Sequence, residues 1–334
     1  MFQRALISYV NSGGLTKIDF ILGLLYPRFV FQKNSKKVIS LWQQEEKTDC
    51  VSSLNTTIQV SSYRGINPSV LKLITHLKND LEKDLFGAYL HGSLATQEEI
   101  NYSDFDALVI LKDDVFSDIN SISRVGLKLN RLQKVMHEFD SLQHHGWFVL
   151  TESMLKNYPN SYFPLELFKY SVSLLPEKGT NFDVHHDSSN TDFKSPFWIL
   201  SNELLKKLNN NYRPKNTFTL KSFLSEFMLL PSFYLQAKNN MAVYKKESFE
   251  LARKDFSEPD WLVMDLISEI RKEWYYEISS FQKMLLCNRN AVVRKLGRKF
   301  APNIPSSIEI KLTATVYKAM SSLVLSMQDK LKSS

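Results

Sequence analysis

Two aspartates head a run of branched apolar residues in "DFDALVIL", Asp104 to Leu111. An apolar run of this length predicts a buried strand. Residues two apart on a strand face the same way, so Asp104 and Asp106 project together while Phe105 turns into the core. Aspartate is a poor strand former, and two like charges on one face repel by about 1 kcal/mol in water and several times more where water is scarce. Something must offset that repulsion. A divalent cation does so directly: Mg2+ prefers oxygen and is commonly held by one or two carboxylates together with substrate phosphates. The plainer alternative, two solvated acids at a strand edge, accounts for the composition but not for what precedes the pair.

Upstream, "FGAYLHGS" is a second apolar run that stops at Gly92 and Ser93, and the ten residues "LATQEEINYS" join it to Asp104. Glycine at a strand exit lets the backbone approach another group closely. Backbone N–H groups and the Ser93 hydroxyl at the start of a following helix would cradle a phosphate. Metal at one strand end and phosphate at its neighbour describe a site for a nucleoside triphosphate and its metal.

The elements around this stretch are a helix, a strand, the Gly-Ser turn, a strand, a helix and a strand. "NPSVLKLITHLKNDLEKDL" has Asn67 as N-cap, Pro68 at the first helical position and apolar residues at helical spacing. "NSISRVGLKLNRLQKVMHEF" reads as a helix, "DSLQHHGWFVL" as a strand and "FPLELFKYSVSLL" as a further helix. The segment "KGTNFDVHHDSSNTD" is loop by composition. From there on the pattern is almost wholly helical, with Pro231 splitting or kinking one helix. The expected fold is α+β: a small mixed sheet flanked by helices, then an all-helical domain. The expected divisions are an N-terminal helical extension over 1–60, the domain carrying the two aspartates over 61–187, and a helical domain over 188–334.

"HGSLATQEEINYSDFDALVIL" resembles the signature of DNA polymerase β-like nucleotidyltransferases: an apolar strand, Gly-Ser, a spacer, then Ser-Asp-x-Asp and another apolar strand. The later "LLPSFYLQAKNNMAVYKKESFELARKDF" looks like the helical domain of the bacterial antibiotic nucleotidyltransferase-like members, of the aminoglycoside type. The resemblance implies metal-dependent transfer of a nucleoside monophosphate from an NTP to an acceptor hydroxyl, with pyrophosphate leaving. It implies two Mg2+ ions, or Mn2+, on Asp104 and Asp106, with the triphosphate on Gly92 and Ser93. A third carboxylate from a later strand is expected as metal ligand or base. Asp140 is preferred over Glu138, and His144 shares their parity as an acid–base or phosphate-contacting group. A small-molecule hydroxyl is the first expected acceptor; RNA or protein is the alternative acceptor, and a catalytically silent nucleotide- or RNA-binding module is the rival of another class.

The spacer departs from the family pattern. It carries Glu98 and Glu99 and no base, so charge for the triphosphate is expected from Lys238 and Lys245, with Lys246 and Arg64 as further candidates. The formal charge of +7 suits polyanionic partners but suits solubility equally. The cluster "RNAVVRKLGRKFAP" is either a solvated basic face or a contact for RNA or anionic lipid.

Two cysteines far apart make neither a disulfide framework nor a metal spacing, which fits a reducing cytoplasmic setting. Adjacent histidines at 144–145 and 185–186 face opposite ways on a strand and do not readily share zinc. "IDFILGLLYPRFVF" is interrupted by Pro27 and carries Asp19 and Arg28, so it is no membrane span. It reads first as a packed helix, with an interfacial anchor as the alternative.

Overall fold

The structure is a computed structural model that describes residues 1–45, 54–187 and 192–333. In chain order the elements are α1 (Phe2–Ser12), α2 (Lys17–Leu25), α3 (Pro27–Glu45), β1 (Leu54–Gln59), β2 (Ser61–Ser62), α4 (Pro68–Leu81), β3 (Leu85–His91), β4 (Asp106–Leu111), α5 (Ile119–Phe139), β5 (Phe148–Thr151), β6 (Val172–Ser173) and β7 (Asn181–His186). There follow α6 (Ser195–Asn209), α7 (Thr217–Phe227), α8 (Leu230–Asn239), α9 (Lys245–Arg253), α10 (Glu258–Lys272), α11 (Ser280–Leu286), α12 (Ala291–Gly297), α13 (Ser306–Glu309) and α14 (Ala314–Lys332). The fold is the expected α+β class.

The chain divides into two compact units. The first comprises 1–99, 103–190 and 279–299; the second comprises 100–102, 191–278 and 300–334. The opening helices, read from sequence as an extension, are packed into the first unit. Tyr9 of α1 is buried, packs edge-on against Phe31 of α3 and hydrogen-bonds Ser35 at 2.8 Å. The segment 279–299 also belongs there: buried Arg294 of α12 donates to Gln133 of α5 at 3.3 Å. The expected boundary at 188 and Cys50 lie outside the described residues, and Cys287 is a free, buried thiol.

The first unit is organised around a five-stranded mixed sheet in the order β2-β6-β3-β4-β5. β3 and β4 are antiparallel, and β4 and β5 are parallel, joined by the crossover helix α5. Ala107 to Leu111 of β4 are all fully buried, as a strand covered on both faces should be. Val70, Leu73, Leu77 and Leu81 of α4 and Val125 and Leu129 of α5 supply the facing stripes. Asn67 caps α4 as predicted, accepting from the N–H groups of Ser69 and Val70.

Three predicted elements differ. β5 begins at Phe148, and residues 140–147 form a turn and an irregular connection instead of a strand entrance. "FPLELFKYSVSLL" becomes a short 3-10 turn, Leu165–Tyr170, followed by β6. "NFDVHH", read as loop, is β7, paired antiparallel with β1; Phe182 and Val184 alternate inward while Asn181 and Asp183, poor strand formers, face out.

In the second unit, α14 packs against α6 and α10. Pro231 falls in the first turn of α8, so the expected single helix is divided into α7 and α8. No helix among the described residues is long and apolar enough to cross a membrane.

Candidate functional site

The antiparallel register of β3 and β4 sets His91 directly opposite Asp106. Gly92 follows at φ 72°, a conformation that favours glycine. A Cβ there would stand 2.7 Å from Asp106 Oδ2, so the missing side chain lets the backbone pass beside the carboxylate. The N–H groups of Ala95 and Thr96 donate to the Gly92 carbonyl at 3.1 and 3.3 Å, and that of Glu98 donates to the Ser93 carbonyl at 2.9 Å. These bonds close a compact turn, where the sequence suggested the start of a helix. The turn does not itself use the N–H groups of Ser93 and Leu94, since the first N–H groups of a helical turn find no partner within it. Gly92 and Ser93 are both partly open to solvent.

Asp104 and Asp106 lie on either side of buried Phe105, and their charges interact. The backbone between them is clamped by Gln143. The Gln143 Oε1 accepts from the Phe105 N–H at 2.9 Å, and its Nε2 donates to the Phe105 carbonyl at 3.1 Å and to the His145 carbonyl at 2.9 Å. Gln143 is itself buried, so the clamp holds the Asp-x-Asp backbone on one side and the histidine segment on the other.

His145 is the residue that sequence reasoning missed. Its Nε2 lies 2.9 Å from Asp106 Oδ1. Burial alone would lower its pKa, but the Asp106 hydrogen bond and the charges of Asp106 and Asp104 push it up to about 9. Asp106 is held below the usual carboxylate range: burial works against this, and the His145 bond and the charges of His145 and His91 outweigh it. His91 is pulled down to about 4 by burial, with the Asp106 charge opposing, so it is neutral at pH 7. Its ring packs edge-on against Phe148 and Phe163, and its Nε2 has no hydrogen-bond partner among the described residues. His144, favoured by parity, instead sets Nδ1 2.9 Å from the Leu142 carbonyl. No sequence pattern singled out His145: it lies in the irregular connection just before β5, whose first residue, Phe148, pairs with Leu108, two residues beyond Asp106.

The third carboxylate expected from sequence rested on an extended backbone that is not there. Glu138 is on α5, facing Lys72 at 3.4 Å and Lys134 at 3.5 Å. Asp140 closes the end of α5, is buried, and accepts from the Leu142 N–H at 3.1 Å. Among the described residues no three His, Cys, Asp or Glu are grouped so as to hold a metal ion. Lys238 and Lys245 are both in the second unit; Lys238 pairs with Asp255 at 2.6 Å, and Lys245 begins α9. The cluster at 289–299 is not one solvated face. Arg294 is buried, and Arg298 donates to the His144 carbonyl at 3.3 Å with its pKa lowered by burial.

Neither a protein-family model nor a curated protein matches the chain. Among solved structures it is similar to "spectinomycin adenyltransferase AAD(9) from Enterococcus faecialis", solved with ATP and spectinomycin, at 13% identity, over 70% of this chain and 99% of that one, with a TM-score of 0.33. A TM-score and identity of that size establish neither a common fold nor a common activity.

Proposed function

We propose that the chain is a metal-dependent nucleotidyltransferase that moves a nucleoside monophosphate from an NTP to the hydroxyl of a small-molecule acceptor, releasing pyrophosphate. One observation supports the reading: the Gly92–Ser93 turn lies against Asp106, so the Gly-Ser and Asp-x-Asp halves of the sequence signature meet at one sheet end. The donor set suits a hard divalent ion, because two carboxylates plus phosphate and water oxygens are how Mg2+ is usually held. Asp104 and Asp106 would hold it, and the ion would supply charge neutralisation at the reacting phosphate.

The chain's own residues do the rest. The Gly92–Ser93 turn presents N–H groups and the Ser93 hydroxyl to phosphate oxygens. Gln143 fixes the backbone that carries both aspartates. His145 brings a positive charge to the strand end, which the spacer lacks, and its Nε2 proton can be shared with a phosphate oxygen. Asp140, buried at the end of α5, is the proposed third acid. Lys238 and Lys245 are kept as the proposed further bases for the triphosphate.

The test is to incubate the protein with each labelled NTP, Mg2+ or Mn2+, and panels of small hydroxyl compounds, RNA and protein. Pyrophosphate release with label in a small molecule supports the reading, and Asp104→Ala with Asp106→Ala should abolish it. A second reading has one observation in its favour: His145 already counters Asp106. It makes the chain a catalytically silent nucleotide-binding module, which would bind NTP and release no pyrophosphate with any acceptor.

A further inference from the structure

Helix α2 is inside out. Its one buried residue is Asp19, while Ile18 is 66% exposed, Ile21 61% and Leu25 76%. These three fall at i, i+3 and i+7 and so share one face. Tyr26 at 61% and Phe29 at 55% continue the apolar surface onto the start of α3. The arrangement is fixed from within. Asp19 accepts from the Leu15 and Thr16 N–H groups at 3.1 and 2.9 Å and pairs with Lys33 at 2.9 Å. With its acid anchored, the helix has no rotation that would bury its apolar side. A contiguous exposed apolar surface of this kind marks a contact with something else.

The chemistry beside it says what. Arg28, between Tyr26 and Phe29, lines a cavity of about 320 Å³ with Arg124, Lys128 and Arg131 of α5, together with neutral Asn120 and Ser123. Asp84 matches Arg124 and Asp80 matches Lys128, but no carboxylate of this cavity matches Arg28 or Arg131, and both are exposed. We infer that α2 and the start of α3 form a membrane-docking surface for anionic phospholipid, with the apolar side chains entering the interface and Arg28 and Arg131 meeting headgroup phosphates. Nucleic acid would use the bases but gives no reason for bare isoleucine and leucine. A symmetric second copy would set this basic rim near its own image.

The experiment is flotation of the full chain with vesicles of phosphatidylcholine alone, or with about 30% phosphatidylglycerol. The expected result is partitioning about tenfold or more stronger onto the anionic vesicles, weakening with salt. Ile21→Glu with Leu25→Glu should reduce it about tenfold or more, and so should Arg28→Glu with Arg131→Glu. All four positions are exposed, and unchanged thermal unfolding would show that the variants fold. Equal partitioning of wild type and folded variants overturns the inference. So does a dimer in sedimentation that Ile21→Glu with Leu25→Glu dissociates while vesicles go unbound. So does binding to homopolymeric RNA that Arg28→Glu with Arg131→Glu removes, again without vesicle binding.

Discussion

Replacing His145 by glutamine removes the imidazolium from Asp106 while keeping a group of similar reach. The displacement of the His145 pKa from 6.5 to about 9 is worth at most about 3 kcal/mol, at about 1.4 kcal/mol per pH unit. The ring is 37% exposed, and screening by water reduces this to about 1–2 kcal/mol. Because the folded-state pKa is raised, the contribution is complete below the unfolded value near 6.5 and is lost as pH rises through about 9. Asp106 has the opposite sign: its pKa is lowered, so its share is present above the ordinary carboxylate pKa and is lost only in acid. At pH 6 both groups therefore hold the pair. Urea unfolding in EDTA, at pH 6 and pH 9.5, measures it. The stability gap between wild type and His145→Gln should shrink by about 1–2 kcal/mol across that interval. Titration of groups elsewhere cancels in the difference. A gap independent of pH would show that no imidazolium sits on Asp106.

Gln143→Ala strands the buried N–H and C=O of Phe105 and should cost about 2 kcal/mol or more in urea unfolding, with a loss of NTP binding by calorimetry. Gly92→Ala meets a positive φ and a Cβ position 2.7 Å from Asp106 Oδ2; it should cost about 1–3 kcal/mol and weaken NTP binding more than alanine does at Gly179, another glycine of positive φ, whose Cβ would face Tyr89 instead of the carboxylate. Asp19→Ala removes the acid that accepts from two N–H groups at the start of α2, and should lower stability by about 2 kcal/mol in thermal or urea unfolding.

What was legible in the sequence was local. Asn67 and Pro68 announce α4 through capping chemistry, and the branched run after Asp106 announces β4 through burial. The Asp-x-Asp pair and the Gly-Ser turn come together because neighbouring antiparallel strands are short-range partners. What was not legible depended on distant partners. β7 reads as loop until β1 pairs with it. Arg294 reads as a surface base until Gln133, far earlier in the chain, accepts from it. Asp140 reads as a strand residue because nothing local shows that, once α5 ends at Phe139, β5 waits until Phe148. Helix α2 shows the limit of composition: its apolar content suggested packing, whereas one capped, ion-paired aspartate decides which side faces in.

The repulsion between Asp104 and Asp106 was the reason for expecting a cation, and the protein already answers part of it. His145 reaches Asp106 and also feels the charge of Asp104, while His91 on the opposing strand is held neutral. Repulsion between the acids therefore does not by itself require a metal. The His145 imidazolium offsets part of the repulsion, but it gives no reason for a glycine at φ 72°, where a side chain would occupy the space beside Asp106 Oδ2. Partly exposed Ser93 at that same place offers a backbone N–H and a hydroxyl that would suit an anion, and a multiply charged anion can join two carboxylates only if more positive charge arrives with it than one histidine supplies. The nucleotide reading thus rests on the closeness of Gly92 to Asp106 more than on the acids themselves.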